Sequence, residues 1–345
     1  MGSAPITSRE RVTRALRFDH PDRPPRDLWT LPGIPMAHAE ALVALLEAFP
    51  SDFTGPEFDY GPAERACGIP NQVGAYTDEW GCGWEVAETG VIGEVKHAPL
   101  DDWAALPSYQ PPWEMLDGAD FSRVDASCAR TDKFVLVGAG VARPFERMQF
   151  LRGTEKLYID FAYGTKEVRH LRDLVHAYFV RELELWAKTD VDGIGFMDDW
   201  GTQQRLLISP AMWRELFKPL YAEYCSIIHG AGKFVFMHSD GHIAAIYPDL
   251  IEIGVDALNS QLFCMDIEAL ARNYKGKITF WGELDRQHLL PFGTPEDVKA
   301  GVRRVRKALD DGSGGVIAQC EWGLDVPESN VRAVFEAWLE PLPVC

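Results

Sequence analysis

"FVFMHSDGHI", Phe234–Ile243, opens as an apolar strand and closes on His, Ser, Asp and Gly. How this stretch is read decides the fold. The stretch before it, "SPAMWRELFKPLYAEYCSIIHGAG" (209–232), reads as a helix. Ser209 serves as N-cap, Pro210 takes the first helical position, and Gly230 or Gly232 stops it. The stretch after it, "VDALNSQ" (255–261), reads as another short buried strand, so the chain goes strand, helix, strand. Further out the same units recur. Buried strands are expected at "RDLWTLPG" (26–33), "DFTGPEFD" (52–59), "FVLVGAG" (134–140), "VDGIGFMDD" (191–199), "KFVFMHSD" (233–240), "ITFWGELD" (278–285) and "GGVIAQCEW" (314–322). "TPEDVKAGVRRVRKALDDG" (294–312) repeats the helix device with Thr294, Pro295 and Gly312.

Eight strands alternating with helices argue for parallel strands joined by helical crossovers, an α/β chain closed into a (β/α)8 barrel of the TIM type. An open doubly wound sheet is the rival, but no GxGxxG follows an early strand. Residues from about 60 to 125, rich in Gly, Pro, Trp and Asp, fit neither period and are expected to form a long excursion over one mouth of the barrel. No linker or low-complexity segment divides the chain, so residues 1–345 are expected to form one domain.

Bulk properties exclude several function classes. A nucleic-acid binder needs a basic face, and a net charge of −18 argues against one. No apolar run approaches a membrane span. The N-terminal "MGSAPITSRERVTRALRFDH" lacks the apolar core of a signal peptide, and Ile6 stands where a myristoylation signal wants Ser or Thr. The seven cysteines are scattered and form no CxxC pair, which fits a reduced, cytoplasmic setting.

In such barrels the chemistry gathers at the C-terminal ends of the strands. Those ends hold Asp198 and Asp199, His238 and Asp240, Asn259 and Gln261, Glu283 and Asp285, and Cys320 and Glu321. Imidazole, carboxylate and thiolate from His238, Asp240 and Cys320 would make a three-ligand zinc site with one position open. The competing reading has His238 hydrogen-bonded locally and Cys320 as a small buried hydrophobe. Asp198 and Asp199 are adjacent, so only one can face the barrel axis. The inward carboxylate could carry a proton or hold a cation; the other would cap a helix or pair with an arginine. Trp29, Trp200, Trp281 and Trp322 lie at or just past strand ends. Either they are core or they ring the mouth as a flat pocket for a planar substrate. Asn259 and Gln261 are further candidates for substrate contact.

Stretches such as "TDEWGCGWE", "RPFERMQFLRG", "MDDWGTQ", "HSDGHI" and "GELDRQHLLPFGTPEDV", in this order from about residue 8 to 340, resemble the uroporphyrinogen decarboxylase superfamily. The resemblance implies a (β/α)8 barrel and one of two chemistries: cofactor-free decarboxylation of a tetrapyrrole, or methyl transfer by zinc enzymes that exchange methyl groups with a corrinoid protein. The decarboxylase branch grips propionates with an Arg-Gln-Ala-Gly-Arg run, whereas the corresponding "DLWTLPGIPMAHAE" here has no arginine. The methyltransferase branch carries zinc on a His-x-Cys pair and a second Cys after the last strand. His238 and Cys320 match two of these positions, and Asp240 stands in the third.

A carboxylate in place of a thiolate makes zinc a stronger Lewis acid, better suited to an ether oxygen than to a thiol. The expected activity is therefore zinc-dependent demethylation of a small O-methyl compound, an aryl methyl ether, with Asp198, Asp199 or Glu283 protonating the leaving oxygen. The methyl group would pass to a corrinoid (cobalamin) carried by a separate partner, since no DxHxxG-type corrinoid module is present. A metal-independent decarboxylase or lyase, or a barrel that binds a ligand without turning it over, are the alternatives. A homodimer is the default symmetric assembly.

Overall fold

The computed structural model describes residues 5–138 and 142–342. Residues 139–140 of "FVLVGAG", the first four residues and Cys345 lie outside these. In chain order the strands are β1 (Arg26–Thr30), β2 (Phe53–Thr54), β3 (Gly74–Thr77), β4 (Gly83–Val86), β5 (Glu94–His97), β6 (Phe134–Val137), β7 (Gly193–Met197), β8 (Phe234–Ser239), β9 (Ala257–Ser260), β10 (Thr279–Trp281) and β11 (Val316–Trp322). The eight stretches expected as strands pair in parallel in the order β1-β11-β10-β9-β8-β7-β6-β2, with helices packed around them as a TIM-type barrel.

The ring closes at its base. Between β1 and β2 the Asp52 N–H donates to the Arg26 carbonyl at 2.9 Å. The Asp52 carboxylate, 1 % exposed, accepts hydrogen bonds from Ser8 Oγ (2.7 Å), Arg11 (2.8 Å), Arg23 (2.7 Å) and the Arg26 N–H (2.7 Å). Above this clasp β2 is only two residues long, and the seam opens into a cavity of about 1040 Å³ that runs from Ser51 and Leu28 to Met197, His238 and Glu321.

Strand alternation sorts side chains into two cores. Phe53, Phe134, Phe236, Ala257, Trp281 and Ile317 fill the barrel interior, with Phe236 edge-on to Trp281 at 5.0 Å and to Phe53 at 6.0 Å. Val12 and Leu16, one turn apart on the helix Ser8–Leu16, join this interior cluster at the N-terminal end. Each contributes about 1.5–3 kcal/mol by leaving water. The alternate residues, among them Val235, Met237, Leu258, Phe280, Ala318 and Cys320, face the surrounding helices.

Two sequence expectations change. The segment 209–232 is two helices, Pro210–Leu216 and Lys218–Gly230, because Pro219 has no N–H to carry the ladder across the joint. The excursion is more regular than its composition suggests: β3, β4 and β5 form an antiparallel sheet. Its body lies on the flank of the barrel, where Trp80 packs on Tyr178 (4.7 Å) of the helix Lys166–Trp186 and Asp78 pairs with Arg147 (2.8 Å). It reaches the mouth at Gly90, beside Gly33, and at Ile92, which lines the cavity. No helix among the described residues is long and apolar enough to cross a membrane.

Candidate metal centre

The loops after β7 and β8 are zipped together by their backbones. The Gly201 N–H donates to the Asp240 carbonyl at 3.0 Å, and the His242 N–H to the Thr202 carbonyl at 2.7 Å. A Cβ on Gly241 would sit 2.1 Å from the Gly201 carbonyl oxygen, and its φ of +80° belongs to glycine in any case. This contact is why "HSDGHI" places Gly immediately after Asp240. The same zipper lets the Asp240 N–H donate to Asp199 Oδ1 at 3.0 Å, bringing two strand ends into one group.

His238 shares the inward face of β8 with Phe236. Its Nδ1 meets Asn259 Oδ1 at 2.6 Å, and the Asn259 amide nitrogen donates to the Trp281 carbonyl. That second bond fixes the amide, so Asn259 Oδ1 accepts from Nδ1–H and Nε2 is turned to the opposite side. There it lies 3.5 Å from Asp199 Oδ1 and 3.4 Å from Asp240 Oδ1. The three ligand atoms all fall within 4.8 Å of one another.

The spacing suits a small divalent cation. Metal–ligand bonds of about 2.0–2.2 Å in a tetrahedron place neighbouring ligand atoms roughly 3.3–3.6 Å apart. The histidine is oriented by an amide behind it, as metal-binding imidazoles commonly are. Asp240 Oδ1 is buried with no hydrogen-bond donor, as are both Glu283 oxygens. Such orphans are rare in native interiors and mark where a ligand belongs. Asp199, His238 and Asp240 therefore fit a metal with one imidazole and two carboxylates.

The electrostatics follow from burial and crowding. Burial pulls His238 down, but Asp199, Asp240 and Glu283 together push it up to about 9. Burial favours protonation of Asp199, yet the contact with His238 wins and holds it below the usual carboxylate range. Asp240 goes the other way, raised by burial and by Asp199 against the pull of His238 and Arg286. Burial lifts Glu283 to about 8, with Arg286 opposing. Arg286 is the counterweight: its guanidinium contacts Asp240 Oδ2 and pairs with Glu321 at 2.6 Å, and its Nε lies 3.6 Å from Glu283.

Several expected site residues stand elsewhere. Cys320 is not part of the group. On β11, Ile317 and Glu321 face inward, so Cys320 alternates outward into the helix layer with Ala318 and Trp322. Burial raises its thiol well above the ordinary range in the metal-free chain. Asp198 also faces outward. Its oxygens accept the N–H groups of Phe145 (2.9 Å) and Glu146 (2.7 Å) and the Tyr221 hydroxyl, capping the helix Pro144–Arg152. Trp200 lies outside the cavity, stacked on Phe145 at 4.1 Å with its indole N–H on Tyr221. Trp322 donates to the Val326 carbonyl and packs among the helices. Trp29 and Trp281 do line the cavity. Gln261 Oε1 accepts from the Gly241 N–H at 3.2 Å, so it holds the loop that carries Asp240. Glu283 lines a smaller hollow of about 80 Å³ beside Arg286.

Two residues were missed. Arg286 sits in a loop, where only three-dimensional contact shows that it joins Asp240, Glu283 and Glu321. Asp27 left a visible signal, a charged residue inside the apolar strand "RDLWT" on the same face as Trp29.

The sequence profile of the uroporphyrinogen decarboxylase (URO-D) family matches residues 69–340. The chain belongs to this family. A curated relative, the methylcobamide:CoM methyltransferase MtbA of Methanosarcina mazei, is 23% identical over 346 residues, covering 96% of this chain and 97% of the relative. A solved structure, a methyltransferase from Methanosarcina mazei, superposes with a TM-score of 0.70 at 15% identity, covering 96% of this chain and 98% of that one. This URO-D family member thus shares its barrel with a methyltransferase over nearly its whole length.

Proposed function

We propose that this chain is a zinc-dependent methyltransferase that demethylates a small O-methyl compound of the aryl methyl ether type and works with a separate corrinoid protein. The observation that carries the reading is the Asp199–His238–Asp240 group at the barrel mouth, with its histidine nitrogen fixed by Asn259. The matches to a methyltransferase named for a methylcobamide substrate support the methyl-transfer half. When bound, zinc would supply Lewis acidity at the ether oxygen, and the partner's corrinoid would supply the nucleophile that accepts the methyl group.

The chain's own residues do the rest. Asp199, His238 and Asp240 would hold the ion, and Asp240 is kept in place through its second oxygen by Arg286. Two carboxylates and no thiolate favour an oxygen donor over a thiol. Trp29, partly exposed at the cavity wall, offers its ring to an aromatic substrate, and the buried Trp281 backs it edge to face at 5.0 Å. As the C–O bond breaks, its electron pair stays on oxygen, which needs a proton. Burial lifts Glu283 towards its protonated form in the metal-free site, and Arg286, which touches both Glu283 and Asp240, sets it beside the group as the proton donor of this reading.

The test is a methyl-transfer assay with zinc-loaded protein, a Co(I) corrinoid protein and a panel of methoxylated aromatics. The expected result is zinc-dependent release of a phenol, lost in His238→Ala. Failure with every methoxylated aromatic, or metal-independent release of CO2 from a carboxylic acid, would overturn the reading.

A further inference from the structure

A buried carboxylate stands in the main cavity, away from the metal group. Asp27, on the inward face of β1, is 6 % exposed and lines the cavity. The indole N–H groups of Trp29 and Trp281 both donate to its Oδ2 at 2.9 Å. Oδ1 receives no donor from any described residue, and no Lys or Arg among them pairs with Asp27. Lys133 lines the same cavity without reaching it. Burial raises the Asp27 carboxyl to about 6, with the two indoles pulling the other way and Asp52 adding to the rise. At neutral pH it is an anion facing a cavity, short of a counter-charge.

The walls around it are aromatic. Trp29, Trp281, Phe53, Phe58 and Tyr60 all line the same space. An anion at the base of an aromatic wall recognises one ligand class better than others. An ammonium group gains a charge-assisted hydrogen bond from the carboxylate, while the aromatic walls receive the ring attached to it. A neutral hydroxyl gains less, and a carboxylate is repelled.

We propose that Asp27, with Trp29 and Trp281, forms an ammonium-binding subsite, and that the ligand of this cavity is an aryl-alkyl ammonium ion. Register sets the ligand's length. Asp27 is paired with Gln319 and Trp29 with Glu321, so Asp27 lies one inward layer, about 6–7 Å, below Trp29. The Trp29 ring is 5.4 Å from the His238 ring. A ligand with its amine on Asp27 therefore brings the far side of its ring towards His238. Resting on the methyl-transfer reading, the substrate class is a methoxyaryl alkylamine with amine and methoxy at opposite ends. The subsite itself does not depend on that reading.

The test is titration calorimetry on chelator-treated protein with three probes of like shape: para-methoxyphenethylammonium, para-methoxyphenethyl alcohol and para-methoxyphenylacetate. The ammonium should bind about ten- to a hundredfold more tightly than the alcohol, with the carboxylate weakest. Asp27→Asn, checked by circular dichroism, should bring ammonium and alcohol level. Equal binding of the two by the wild type, no binding of the ammonium, or a preference that survives in Asp27→Asn would overturn the proposal. Should Asp27→Asn not fold, the wild-type series decides alone. Ammonium preference without demethylation keeps the subsite and sinks the methyl-transfer reading. Demethylation of neutral methoxyaromatics without that preference does the reverse.

Discussion

Asp52 and Glu283 are both almost wholly buried carboxylates in the same barrel, and their surroundings are opposite. At the N-terminal face, Asp52 is saturated: two arginines, a hydroxyl and a backbone N–H converge on it. Burial alone would favour its neutral form, but these donors, Arg23 foremost, hold it below the usual carboxylate range. At the C-terminal face Glu283 has no hydrogen bond at either oxygen, and burial lifts it to about 8. One carboxylate closes a ring; the other has no hydrogen bond, with the Arg286 guanidinium at 3.6 Å for counter-charge. The contrast sets a saturated carboxylate at one end of the barrel against one without donors at the other, the end where barrel enzymes carry their chemistry.

The comparison breaks if the two ends respond alike to mutation. The largest effect is expected at Asp52. Asp52→Ala removes the acceptor shared by Ser8, Arg11, Arg23 and the Arg26 N–H, leaves Arg11 its Asp22 pair, and should cost about 3–5 kcal/mol in urea unfolding. Glu283→Gln removes an unsatisfied acid and should leave stability within about 1 kcal/mol of wild type or raise it, while methyl transfer falls. Equal losses would dissolve the distinction.

Next in size is Gly241→Ala. It forces a Cβ into the Gly201 backbone at a positive φ and should lose at least about 2 kcal/mol. Zinc affinity should fall with it, because the zipper that joins Asp199 to Asp240 opens. Full zinc binding in a destabilised Gly241→Ala would detach the site from the loop contact.

A smaller effect lies in pH dependence. Glu283 is raised in the fold, so the metal-free protein carries its contribution fully below about pH 4.5 and loses it as pH rises through about 8. Asp52 is lowered, so its contribution is present above the ordinary Asp value and fades as acid titrates it. Unfolding followed against pH should show Glu283→Gln flattening the decline between about pH 4.5 and 8 only. A flattened acid limb would mean that the two carboxylates had been assigned to the wrong ends.

Much of this was readable from the chain, and the limits have physical causes. The eight strands were legible because each is a short apolar run ended by turn residues. His238 and Asp240 drew attention because they sit where a barrel strand ends. Cys320 was expected in the group, and the structure places it on the other face of β11, because position along the chain says nothing about face. Alternation would have corrected it: counting by twos from Ile317 reaches Gln319 and Glu321, and never Cys320. Trp200 misled similarly, since a large ring at a strand end serves core as readily as pocket. Arg286 could not be read at all. It joins the site through a fold of the loop after β10, and its partners are spread from Asp240 to Glu321.

The most direct test of the account is zinc stoichiometry by elemental mass spectrometry after reconstitution, on wild type, Asp199→Ala, His238→Ala and Cys320→Ala. The account predicts close to one zinc per chain in the wild type and in Cys320→Ala, and loss in Asp199→Ala and His238→Ala. Zinc retained in Asp199→Ala but lost in Cys320→Ala would return the thiolate to the site, and a wild type that takes up no zinc would contradict the metal centre itself.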